Sequence, residues 1–190
     1  MPRVGLSRTD VVAAGAALAD EVGFGNLALG ALAQRVGVRT PSLYKHIESL
    51  ADLQHGIAAL AMAELDQRVR DAMHGLSGSA ALAAFANAFR AYVVEHPGRY
   101  AATVGARFTG PDDPLLQSGS RVLGSMEAVL RGYGVDEHEM VHALRTLRCT
   151  FHGFATLQAS DGFQWSDDSE DSFDWMIRFL DRGLTEIGSR

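Results

Sequence analysis

Apolar residues recur along this 190-residue chain at spacings of three and four, and no segment alternates convincingly with period two. That pattern predicts helices throughout and no sheet. Val11, Ala14, Leu18 and Val22 mark a first helix over about 8–22, with Ser7 and Asp10 spaced as a capping box. Leu29, Leu32, Ala33 and Val36 mark a short second helix. Gly37 and Val38 break it, and Thr40-Pro41 predicts a third, with Thr40 as N-cap and Pro41 at the first helical position. Ser49 and Asp52 then open a long helix to about residue 74, with Leu53, Ile57, Leu60, Leu65, Val69 and Met73 inside.

Beyond "HGLSGS" the pattern describes a larger helical body. Leu82, Phe85, Phe89, Tyr92 and Val93 form one stripe, stopped by "HPG" at 96–98. A shorter helix is expected to reach about Phe108, before the turn "TGPDDP". Leu115, Val122, Met126 and Val129 mark the next, ended by "GYG". The last two stripes are the most regular: Met140, Leu144, Leu147, Phe151 and Phe154, then Phe173, Met176, Ile177, Leu180, Leu184 and Ile187. The acids of the loop "SDGFQWSDDSEDS" between them favour the N-terminus of the final helix.

The third helix is the odd one. It places Thr40, Pro41 and Ser42 in one turn and Tyr44, Lys45 and His46 in the next, with only Leu43 and Ile47 to hold it from behind. Two short helices across a tight turn, braced by a longer one, describe a helix-turn-helix, whose second helix enters the major groove of DNA. Arg39 or Lys45 can then read guanine, and the hydroxyls of Thr40 and Ser42 can meet phosphate or base. Tyr44 and His46 suit phosphate contacts, which fix position without reading sequence.

Composition supports a packed globular chain: 47% hydrophobic and 21% charged residues. No apolar run has the length of a membrane span and the N-terminus has no signal-peptide core, so the expectation is a cytoplasmic protein. The single cysteine, Cys149, excludes an intramolecular disulfide and is expected to be a buried small hydrophobe. No cofactor is expected. The net charge of −6 does not exclude DNA, because its distribution matters more than its sum. Through residue 55, Arg3, Arg8, Arg35, Arg39 and Lys45 balance Asp10, Asp20, Glu21, Glu48 and Asp52.

The segment "LALGALAQRVGVRTPSLYKHIESLADL" resembles the helix-turn-helix of the TetR/AcrR family of one-component regulators, over about residues 8–57. "FHGFATLQASDGF", Phe151 to Phe163, is similar to the Trp-His-Gly motif of one C-terminal subclass, with Phe151 in place of the usual Trp. The resemblance implies an all-α homodimer of about nine helices per chain. Residues 1–50 would be the DNA-binding domain and 51–190 a ligand-binding and dimerisation body. It implies a repressor on a palindromic double-stranded operator, released by a small molecule. In such a body Phe85, Phe89, Tyr92, Tyr100, Phe108, Met126 and Phe151 are candidates to line the ligand cavity. Leu144, Leu147, Phe154, Met176, Leu180 and Leu184 are candidates for a four-helix dimer interface. One departure stands out: Leu50 occupies the place where the family commonly has a phosphate-contacting lysine, and Arg3 and Arg8 are the nearby cations that could compensate.

A rival motif needs weighing. "HEMVH", His138 to His142, matches H-E-x-x-H, in which two histidines bind zinc and the glutamate is a general base. It supports an alternative, a helical zinc-dependent hydrolase. Against it, Arg148 stands six residues after His142, where one zincin class has its third histidine, and Glu186 is the sole glutamate after Glu170. No metal site is therefore expected, and His152 reads as a core or interface histidine.

Overall fold

The computed structural model of the chain describes residues 5–164 and 168–189; Arg3 and positions 165–167 of the polar loop lie outside them. Among the described residues the secondary structure is helical: α1 (Arg8–Val22), a 3-10 turn (Phe24–Asn26), α2 (Leu29–Arg35), α3 (Thr40–Leu43), α4 (Leu50–Met73), α5 (Gly78–Glu95), α6 (Pro97–Thr103), α7 (Pro114–Gly132), α8 (Glu137–Ala159) and α9 (Ser169–Gly188). The all-α expectation and its element order hold. Two compact units result, Met1–Glu64 with His96–Ser118, and Leu65–Glu95 with Gly119–Arg190. Helices α4 and α7 each supply residues to both.

The first unit packs α1, α2 and α3 on the start of α4 through Val11, Leu32, Leu43, Ile47, Leu53 and Ile57, all at most 2% exposed. The predicted capping box of α1 is formed: the Asp10 amide donates to Ser7 Oγ and the Ser7 amide to Asp10 Oδ2. Within this unit α6 lies against α1. The Arg99 amide donates to Asp20 Oδ1 at 2.8 Å, and the Arg99 guanidinium also meets Asp20 and, at 3.1 Å, Glu64. Gly98 makes that approach possible, because a Cβ there would stand 2.0 Å from the Ala19 carbonyl oxygen.

The second unit is built on α5, α8 and α9, with Phe85, Tyr92, Leu130, Phe151 and Phe173 buried. Tyr133 donates to Asp181 Oδ1 at 2.5 Å, and burial together with that carboxylate pushes its phenol well above the usual range.

Four expectations need correction. Arg39, not Thr40, is the N-cap of α3: Arg39 is extended, Thr40 is already helical, and the Ser42 amide closes the first turn on the Arg39 carbonyl at 2.8 Å. Helix α6 ends at Thr103, where Gly105 takes a left-handed φ of 77°, so Phe108 falls in the following loop. Val22 is 41% exposed, because the inner face of α1 runs through Val11, Val12, Ala16, Leu18 and Ala19 instead. Cys149 is exposed: it lies two residues from both Leu147 and Phe151, on the opposite side of α8.

Candidate nucleic-acid interface

Helix α3 is a single α-turn, prolonged by the His46 amide on the Leu43 carbonyl at 2.8 Å and the Ile47 amide on the same oxygen at 3.1 Å. The bend before it needs glycine, since Gly37 has φ 72°. Leu43 and Ile47, four residues apart, anchor the inner side at 0% and 2% exposure. This leaves Arg39, Pro41, Tyr44 and Lys45 exposed and Thr40, Ser42 and His46 half-buried on one continuous outer surface.

The electrostatics follow from which charges are paired. Arg8 makes a two-point ion pair with Asp52, at 2.7 and 2.6 Å, and donates to the His46 carbonyl at 3.0 Å. It thereby ties α1 to the end of α3 and the start of α4, and its guanidinium holds the Asp52 carboxyl below the usual carboxylate range. Arg35 pairs with Glu21 in the same two-point way, at 2.7 and 2.8 Å. Asp20 is occupied by Arg99 and His96, and Asp10 by Ser7. Among the described residues Arg39 and Lys45 have no ion-pair partner. The outer face of α3 thus carries two unpaired cations, Arg39 and Lys45, with the exposed Glu48 just beyond its end.

Leu50 is half-buried and packs on the core of the first unit, and the Ser49 hydroxyl accepts from the Asp52 amide at 3.1 Å. Arg8 serves the ion pair with Asp52, so it does not stand free beside Leu50 as a substitute anchor.

In the second unit the rings of Phe85, Phe89 and Phe151 are brought together, with centroids 5.8–6.4 Å apart. Tyr92 and Met126 are buried at 1% and 3%, and the Arg68 guanidinium lies 5.5 Å from the Tyr92 ring centre. Tyr100 is buried on α6, in the first unit. Phe108 is 58% exposed, which removes it from the buried aromatic set.

Of the residues expected at a dimer face, Leu147, Leu180 and Leu184 are buried and Leu144 and Met176 half-buried. Phe154 packs within its own chain, on Phe163 and Phe173 at 4.8 and 4.9 Å. The apolar surface left open on α9 belongs to other residues: Trp175 and Phe179 are 60% and 62% exposed and stack on each other at 5.4 Å. A groove of about 260 Å³ lies beside them between α8 and α9, bordered by His142, Thr146, Phe179, Gly183 and Ile187. Sequence reasoning missed this pair because it followed the deeper stripe of α9; the i, i+4 spacing of Trp175 and Phe179 was the available signal.

His138 and His142 are both exposed on α8. Among the described residues no group of three or more His, Cys, Asp or Glu side chains is placed to hold a metal, so a hydrolase built on this motif has no third protein ligand.

A helix-turn-helix with a free cationic second helix, followed by an all-helical body, defines a class of DNA-binding regulators. Comparison with known proteins identifies the family. Residues 82–180 match the tetracyclin repressor-like C-terminal domain. The chain is 30% identical over 183 residues to the uncharacterized HTH-type transcriptional regulator YobS of Bacillus subtilis (strain 168), covering 96% of this chain and 95% of that one. Among solved structures it is similar to a TetR variant of Acinetobacter baumannii AYE in complex with minocycline, with a TM-score of 0.74, 24% identity, and 98% and 100% of the two chains covered. It is also similar to BioQ with its double-stranded DNA operator, with a TM-score of 0.68, 22% identity, and 95% and 99% covered. The chain belongs to the TetR family of helix-turn-helix transcriptional regulators.

Proposed function

We propose that the protein is a repressor that binds a palindromic operator as a homodimer and is released by a small molecule. The observation that carries this reading is the outer face of α3, where Arg39 and Lys45 remain unpaired among the described residues while the neighbouring cations are neutralised. Residues 1–50 supply the DNA contacts, with Arg39, Thr40, Ser42 and Lys45 on bases and Tyr44 and His46 on phosphates. Residues 51–190 supply ligand binding and dimerisation. The open face of α8 and α9, with Trp175 and Phe179, supports a second copy as its partner; a large exposed apolar patch is unusual on a monomer. The buried aromatics Phe85, Phe89, Tyr92 and Phe151, with Met126, supply the apolar surround a small ligand needs. The minocycline complex and the operator complex of the two structural relatives support the same division of labour. Ligand acts by changing the spacing of the two recognition helices, so that both no longer fit successive major grooves. With chromosomal DNA as partner, the place of action is the cytoplasm.

Selection from random DNA tests this. The reading expects an inverted repeat whose half-sites are centred one helical turn apart, about 34–36 Å, or a multiple of it. Recovery of no common sequence, or of a single unrepeated half-site, contradicts it.

A further inference from the structure

The H-E-x-x-H segment is not used by DNA recognition, yet its two histidines have a geometry of their own. His138 and His142 are one turn apart on α8, so their Cβ atoms stand about 5–6 Å apart on one side of the helix. Two imidazoles so placed can converge on one cation, at nitrogen–metal distances of about 2.0–2.1 Å. Both side chains are exposed, and among the described residues neither ring has a hydrogen-bond or ion-pair partner. Other histidines of the chain are engaged: His55 meets Asp113 at 3.1 Å and His96 meets Asp20 at 3.3 Å. A pair free on the same face has its ring nitrogens available.

The surrounding charge favours a cation. Asp136 caps the helix through the His138 amide at 2.9 Å, and Glu137 and Glu139 complete an acidic first turn. These three carboxylates oppose the positive end of the helix dipole, which would otherwise repel a metal there. We propose that His138 and His142 form a two-histidine chelate for a late first-row divalent cation, zinc, nickel or copper. Imidazole suits these metals, and hard cations such as magnesium and calcium prefer oxygen. Two protein ligands leave the remaining positions to water, so the site is open and its affinity lies far below that of a closed four-ligand zinc site. His142 also borders the α8–α9 groove, so a bound dication places its charge beside Glu139 at the rim of that surface.

The test is calorimetric titration of zinc chloride into full-length protein stripped with a chelator, above the ordinary imidazole pKa of about 6.5. One zinc per chain is expected, reversed by added chelator. His138→Ala and His142→Ala should each weaken it by at least about tenfold, the scale on which loss of even a supporting group acts at metal sites. Both positions are exposed, and unchanged helical circular dichroism verifies that the variants fold. Cys149→Ala should leave zinc binding unchanged, because the thiol lies two helical turns beyond His142. Absence of zinc binding by the wild type overturns the proposal. Undiminished, wild-type affinity in both histidine variants, or loss of binding in Cys149→Ala alone, overturns it as well.

Discussion

Gly98→Ala is the substitution to which the first unit should be least tolerant. The new Cβ would stand 2.0 Å from the Ala19 carbonyl oxygen, 2.1 Å from its carbon and 2.5 Å from the Asp20 nitrogen. All three are backbone atoms, so no side chain can rotate away and α1 and α6 must separate. Overpacking of this kind costs about 1–3 kcal/mol. Separation also strains the Arg99 amide bond to Asp20 at 2.8 Å, and a hydrogen bond to a charged group contributes about 1.5–3 kcal/mol. The better helix propensity of alanine returns no more than about 1 kcal/mol. A net loss of about 2–4 kcal/mol is therefore expected, read as a lower urea midpoint at unchanged slope. Gly124→Ala, in the middle of α7 with open space at its Cβ, is the control and should stabilise by about 0.5–1 kcal/mol. If Gly98→Ala matches the wild type, the close approach of α1 and α6 is wrong.

Phe179→Asp changes a residue that is 62% exposed, so the chain should fold but sediment as a monomer; an intact dimer would move the interface off α9. Asp113 is buried, which alone would raise its pKa, but bonds from the Thr109 and Leu115 amides, the Thr109 hydroxyl and His55 hold it at about 2. Its folded pKa is below the ordinary 3.8, so its contribution is full above that value and is lost as pH falls through about 2. That difference corresponds to about 2 kcal/mol, and Asp113→Asn should flatten stability between about pH 5 and 2; an unchanged acid profile would refute the assignment. Leu50→Lys should keep its stem on the core and its ammonium in solvent, adding one phosphate contact per chain. The slope of log K against log salt should then steepen by roughly 1.8 for a dimer, and an unchanged slope would mean that this end of α4 does not meet DNA.

The outer surface of α3, proposed here to meet DNA, was legible because it departs from the helical rule that governs the rest. A short helix with two apolar anchors, Leu43 and Ile47, and five polar neighbours has few other uses, and the structure buries just those two. The inner stripes of α5, α8 and α9 were legible from period alone, except that Ile187, assigned to the stripe of α9, is 41% exposed near the end of that helix. What sequence could not supply was partnership. Arg8 reads as a free cation until its ion pair with Asp52, 44 positions away, is seen. The end of α6 was misjudged because Phe108 has helical spacing from Tyr100 and Thr103-Val104 carries no breaker, while the stop comes from the left-handed Gly105. The open face of α9 was missed for a different reason. Period distinguishes apolar from polar positions, and Trp175 and Phe179 are as apolar as the residues buried beside them.

The central claim is that α3 reads DNA through Lys45 and Arg39. Its most direct test is fluorescence anisotropy of wild type and Lys45→Ala on the selected operator and on a random duplex of equal length, at fixed salt. The account predicts a loss on the operator that exceeds the loss on random DNA by about 1–3 kcal/mol if Lys45 contacts guanine, with preference relaxed at one base pair of each half-site. Equal losses on both duplexes would reassign Lys45 to the phosphate backbone. No loss on either would contradict the claim that α3 is the recognition helix.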